Sequence, residues 1–147
     1  MFKHILIPTD GSSRSVAAID RAVRFAKEQN ARVTGIYVAP PEHTVLRDDA
    51  ASMHYRPPRP GSAGAHRLGR KHLKEVTQTA AELGVQCEVF CAVSERPYEE
   101  IVRAAERAKC DLICMASHGR TGLSRLLLGS QTTKVLALSK VPVMVIR

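Results

Sequence analysis

Apolar residues fall along this chain in short runs separated by longer amphipathic stretches. Residues 2–8, 31–38, 85–93, 111–115 and 141–146 are such runs, most of them rich in Val, Ile and Leu. Their length and β-forming content predict five strands. After the turn Asp10-Gly11-Ser12-Ser13, Ala18, Ala22, Phe25 and Ala26 recur at helical spacing. The two hydroxyls of that turn offer N-caps for this first helix. Leu68, Val76, Ala80 and Leu83 mark one side of a helix over 65–83, and Gly84 supplies its stop. Pro97 opens another through Ile101, Ala104, Ala105 and Ala108. Residues 126–138 read as largely helical, interrupted at Gly129-Ser130. The order is βαβ-loop-αβαβαβ, with strands apolar on both faces. That pattern predicts an α/β fold with helices packed on a parallel sheet. Residues 42–64 carry Pro57, Pro58, Pro60, Gly61 and Gly64 and show no period. They are expected to form a flexible loop. Too little chain precedes this loop for a stable domain of its own, so residues 1–147 are expected to be one domain.

Composition narrows the function classes. Aromatic residues are 4% of the 147 and Trp is absent. The core must be aliphatic, and a stacking platform for single-stranded nucleic acid is not expected. No apolar run approaches a membrane span, and the opening apolar stretch is far too short for a signal peptide. A cytoplasmic protein without membrane contact is the expectation. The net charge of +8 is unevenly spread. Between Asp49 and Glu75 there is no acidic residue, while Arg56, Arg59, Arg67, Arg70, Lys71 and Lys74 all lie there. The rest of the chain is nearly neutral. This segment reads as a solvated loop and helix face, or else as a flap facing an anion. Specific nucleic-acid binding is not expected from it.

The four cysteines form two pairs, Cys87-x3-Cys91 and Cys110-x3-Cys114, both in apolar runs. On a strand, residues four apart are about 13 Å apart. A single zinc with bonds of about 2.3 Å cannot join them, and neither pair can close a disulfide. They are expected to be buried small hydrophobes.

In an open parallel sheet, ligands sit beyond the carboxyl ends of the strands, where strand order reverses. Two strand ends are rich in turn residues: Pro8-Thr9-Asp10-Gly11 and Ala116-Ser117-His118-Gly119-Arg120-Thr121-Gly122. Further on, Gly129-Ser130 precedes a helical run. A helix starting at Ser130 would turn its free N–H groups and positive dipole end toward the same place. That describes a phosphate cradle, without a Walker motif and without G-x-G-x-x-G.

These residues resemble the universal stress protein family along nearly the whole chain. The likeness runs from the Ile5-Leu6-Ile7-Pro8-Thr9-Asp10-Gly11-Ser12 opening to the Val141-Pro142-Val143-Met144-Val145-Ile146 close. The nucleotide-binding branch of that family carries G-x2-G-x9-G-[ST]. Here Gly119 and Gly129-Ser130 match it, and Ala116 replaces the first glycine. If that position needed a left-handed backbone, alanine would cost about 1 kcal/mol. The resemblance implies a Rossmann-like open twisted five-stranded sheet of order 3-2-1-4-5, a homodimer, and a site for ATP, with Mg²⁺; in that order the apolar run 141–146 lies at the sheet edge, and the homodimer is expected to pair through it. Pro8, Thr9, Asp10 and Val38 would line its adenine and ribose end, with Met115 and Ala116 under the sugar. Gly119, Arg120, Gly129, Ser130, Gln131 and Thr132 would surround the phosphates. His118 falls in the same turn and is grouped with the ligand-binding residues; no orienting partner for it as a general base is evident. Asp10 reads either as a turn residue or as a ligand-facing acid. The implied role is that of a regulatory, stress-response ATP binder with at most slow hydrolysis. An ATPase or nucleotidyl-transfer enzyme on a related fold, and an interaction module using the basic flap, are the alternatives.

Overall fold

The five apolar runs form parallel strands β1 (His4–Pro8), β2 (Arg32–Ala39), β3 (Cys87–Val93), β4 (Leu112–Ala116) and β5 (Val143–Ile146). They lie in one sheet in the order β3-β2-β1-β4-β5. The structure, a computed structural model, describes residues 1–41, 63–117 and 128–147, with backbone alone at 63–66. Among these, the helices are α1 (Ser13–Glu28), α2 (Ala63–Leu83), α3 (Pro97–Arg107) and α4 (Ser130–Leu138).

Strand periodicity sorts the core into two layers. Ile5, Ile7, Val33, Tyr37 and Cys114 pack with Ile19 and Val23 of α1 and with Leu73 and Val76 of α2. Leu6, Ile36, Ile113 and Met115 pack on the other face with Ile101 and Ala105 of α3 and Val135 of α4. All five β1 residues are buried. A central strand covered on both faces cannot alternate apolar with polar, which is why Ile5, Leu6 and Ile7 follow one another without a polar residue between them. The chain winds outward from β1 to β3, then returns to the other side of β1 with β4. The strand order therefore reverses between β1 and β4.

Three helices end in the same way. After α1, Ala31 N–H donates to the Ala26 carbonyl and Asn30 N–H to that of Lys27. Val85 to Ala80 and Gly84 to Ala81 repeat this after α2, and Cys110 to Ala105 and Lys109 to Glu106 after α3. The turning residues Asn30, Gly84 and Lys109 all have positive φ, as this stop requires.

Several expected boundaries move. The first strand begins at His4, and at its start the N–H groups of Lys3 and His4 donate to the Asp111 carboxylate at 2.8 and 3.0 Å. Residues 85 and 86 lie outside β3, and Val85 belongs to the helix stop. Helix α2 starts at Ala63, so the segment expected as loop through 64 ends sooner; residues 42–62 lie outside the described residues. Cys110 precedes β4. Cys110 and Cys114 are buried, whereas Cys87 and Cys91 are only half-buried, because β3 is an edge strand. Burial pushes the Cys87 and Cys110 thiols up to about 11 and Cys114 to about 12. Among the described residues, no helix is long and apolar enough to cross a membrane.

Candidate functional site

A cleft of about 220 Å³ opens at the carboxyl ends of β1, β2 and β4, where the strand order reverses. Pro8, Thr9 and Asp10 reach it from the end of β1, Val38 from β2, and Met115 and Ala116 from the end of β4. Gly129, Ser130, Gln131 and Thr132 reach it from the start of α4. The fold thus gathers ten of the thirteen residues singled out in the sequence. His118, Gly119 and Arg120 lie outside the described residues. Ser15, Ile36, Pro97 and Ile101 also line the cleft and were not anticipated. Most of the wall is apolar.

The β1–α1 turn is closed by its own side chains. Thr9 N–H donates to the Ile36 carbonyl at 2.9 Å, prolonging the ladder one residue past β1. Gly11 then takes φ +74°, which only glycine adopts readily. Its N–H donates to Thr9 Oγ1 at 3.1 Å. Asp10 Oδ1 accepts from Ser12 N–H and Ser15 Oγ, both at 3.0 Å. Ser12 caps α1 by accepting from Ser15 N–H at 3.3 Å. Asp10 is therefore a turn residue and a wall residue at once. Among the described lining residues it carries the only carboxylate.

The start of α4 is built differently. Its N-cap is Gly129, no side chain caps it, and its first turn holds no acid. Gly129 N–H donates to the Ser117 carbonyl at 2.7 Å, and Thr132 Oγ1 to the Ala116 carbonyl at 3.0 Å. These two bonds fix the helix start against the end of β4. Gln131 Oε1 accepts from Tyr98 N–H at 3.1 Å, so that side chain serves α3. The first N–H groups of α4 have no acceptor within their own helix, and the helix dipole makes this wall locally positive. Ala116 is not among the residues with positive φ. Alanine is thus unstrained where the family motif has its first glycine.

The wall as described offers an apolar slot beside backbone donors. Such a slot suits a flat aromatic group carrying an anionic tail. Among the described residues no three His, Cys, Asp or Glu side chains come together to hold a metal.

The pattern that defines the Universal stress protein family matches residues 1–147. The chain is 37% identical over 147 residues to Universal stress protein MJ0531 of Methanocaldococcus jannaschii, spanning 100% of this chain and 83% of that one. It is 35% identical over 150 residues to Universal stress protein YxiE of Bacillus subtilis, spanning 100% of both. Among solved structures, MJ0577 of Methanocaldococcus jannaschii matches with a TM-score of 0.74 and 28% identity, over 99% of this chain and 96% of that one. A universal stress protein in complex with cAMP matches with a TM-score of 0.71 and 24% identity, over 99% and 97%. One from Archaeoglobus fulgidus in complex with dAMP gives 0.68 and 16%, over 100% and 98%. At the last two identities the likeness speaks for the fold alone.

Proposed function

The chain belongs to the universal stress protein family, and from that premise we propose that it binds ATP in the cleft between β1 and β4 as a regulatory stress-response protein. The observation that carries this reading is the pairing of a mainly apolar wall with the uncapped start of α4 at the point of strand reversal. Backbone N–H groups at Gly129-Ser130-Gln131-Thr132 would meet the phosphates. Pro8, Thr9, Asp10, Val38, Met115 and Ala116 would take the base and sugar. Two proteins of the same fold are solved in complex with cAMP and dAMP, and an adenine nucleotide is the ligand class we propose for this cleft.

Mg²⁺ fits this wall in one way. The ion binds through phosphate oxygens and water with one or two carboxylates, and Asp10 carries the one carboxylate among the described wall residues. The ion would neutralise phosphate charge. Asp10 Oδ1 already accepts from Ser12 N–H and Ser15 Oγ, which fixes the carboxylate in the turn. Nucleotide content of the freshly purified protein is the direct test. Bound ATP is the expected result. ADP or AMP would favour turnover, and an empty protein with no ATP affinity by calorimetry would overturn the reading.

The proposed working form is a homodimer paired through β5. That strand lies at the sheet edge with Val143, Met144, Val145 and Ile146 only half-buried. Leu136 and Leu138 of the neighbouring α4 are 41% and 54% exposed. An apolar edge of this kind needs cover, and a two-fold axis would supply an antiparallel copy. Val143→Asp is expected to give monomer or insoluble protein in analytical ultracentrifugation. A wild-type chain that stays monomeric at micromolar concentration would remove this argument.

A further inference from the structure

Helix α2 lies on the face of the sheet opposite α3 and α4, behind the cleft, and it is seated closely. At Gly69 an added Cβ would lie 2.9 Å from the Cβ of Cys91 on β3. From this fixed helix the His72 ring stacks on Tyr37 of β2, with centroids 4.2 Å apart and planes 15° from parallel. Tyr37 is buried on the α2 side, while its neighbours Ile36 and Val38 line the cleft on the other. The Nδ1 edge of the same ring meets Gly11: a Cβ there would sit 2.3 Å from Nδ1 and 3.2 Å from Cε1. Gly11 therefore has two reasons to be glycine, its φ of +74° and the imidazole against it. The turn Thr9-Asp10-Gly11-Ser12 is held by its own hydrogen bonds on one side and by His72 on the other.

We infer that His72 is a positioning residue for the ligand-binding turn, coupling α2 to the cleft without touching the ligand; the coupling to ligand rests on the nucleotide reading above. His72 is not a wall residue of the cleft. Its influence must pass through Gly11 to Asp10 and Ser12. A nucleotide that fixes Asp10 would by the same route favour the docked position of α2, since coupling between two sites is reciprocal. The exposed basic face of α2, with Arg67, Arg70, Lys71 and Lys74, then belongs to an element linked to the occupancy of the cleft.

The test compares full-length wild type, His72→Ala and His72→Phe, the last keeping a ring to stack on Tyr37. Hydrogen exchange of the Ser12 amide is measured without nucleotide, and ATP affinity by calorimetry. In His72→Ala, Ser12 exchange should rise about tenfold while the β1 amides of Leu6 and Ile7 keep their protection. ATP affinity should fall about three- to tenfold, the scale of one lost ring stack, and His72→Phe should recover most of both. Unchanged Ser12 exchange overturns the inference, and so does faster exchange shared equally by Leu6 and Ile7, which would mean global loosening. A loosened turn with unaltered ATP affinity overturns the coupling to ligand. A loosened turn in a protein whose wild type binds no ATP upholds the positioning of the turn and sinks the nucleotide reading instead. Should His72→Ala not fold, His72→Gln removes the ring and carries the same measurements.

Discussion

Of the three helices that begin beside the cleft, α1 and α4 begin in opposite ways. At α1, Ser12 accepts from the Ser15 N–H, and Asp10 accepts from the Ser15 hydroxyl and from the N–H of the cap residue Ser12 itself. At α4, Gly129 stands at the N-cap with no side chain to offer, and neither acid nor cap follows. Every helix start has N–H groups without intrahelical partners. The first helix closes part of its first turn from within, the Ser12 hydroxyl taking the Ser15 N–H. Among the described residues no side chain caps the second: the Thr132 and Thr133 hydroxyls donate to the carbonyls of Ala116 and Gly129, and Gln131 Oε1 accepts from Tyr98 N–H, so none of these bonds occupies its first N–H groups. The lesson is that a helix terminus becomes a plausible anion seat when the sequence withholds the residues that would close it.

The largest effect expected from this contrast is at Gly129. Its φ of −58° and ψ of 149° suit any residue, so Gly129→Val should fold, at a cost of about 1 kcal/mol for the poorer cap. The branched side chain would stand on the cleft wall between the phosphates and the α4 N–H groups. ATP affinity measured by calorimetry should drop by about 100-fold or more. A folded Gly129→Val protein with wild-type affinity would place the anion elsewhere.

A smaller effect, and of another kind, is expected at α1. Ser12→Ala removes the N-cap acceptor of Ser15 N–H but leaves the backbone bond from Ser12 to Asp10. The stability loss in denaturant titration should be about 0.5–1 kcal/mol, the low end for a cap with a 3.3 Å bond. ATP affinity should change by less than about threefold. If Ser12→Ala instead matched Gly129→Val in lost affinity, the two helix starts would be equivalent and the contrast between them would fall.

How far this was legible beforehand depends on the kind of signal. The sheet and its helices were readable because apolar period and punctuation agree. Gly84 as a stop is chemistry printed in the sequence, whereas Lys109 in the same role is not, since a lysine with positive φ is held there by the Cys110 and Lys109 bonds back to α3. In the cleft, Ile36 shares a strand face with Val38, and the period of two could have named it. Pro97 and Ile101 are four apart on α3 and lie on one helix face, but only the packed fold brings that face to the cleft. Ser15 is hidden for a different reason. It reads as an ordinary first-turn serine, and its place beside Asp10 follows from the tight turn at Gly11. The half-buried state of Cys87 and Cys91 needed the strand order, because a β-rich run does not say which strand is the edge.

The smallest expected effect concerns the glycine that this chain lacks. The family motif has glycine where Ala116 stands, and a motif reading alone would expect Ala116→Gly to improve binding. The local geometry argues otherwise. Ala116 ends β4 paired with Ile146 of β5 and has no positive φ to relieve. Its carbonyl already accepts from Thr132 Oγ1, which anchors the start of α4. Gly11, by contrast, is held at φ +74° against His72. Glycine at 116 would gain no conformational relief and would loosen a strand end that carries the anchor. Stability should fall by about 0.5–1 kcal/mol, and ATP affinity should stay within about twofold of wild type. A gain of tenfold or more in Ala116→Gly would mean that the methyl group obstructs the ligand and that the first motif glycine is wanted for room at the cleft wall, not for backbone freedom.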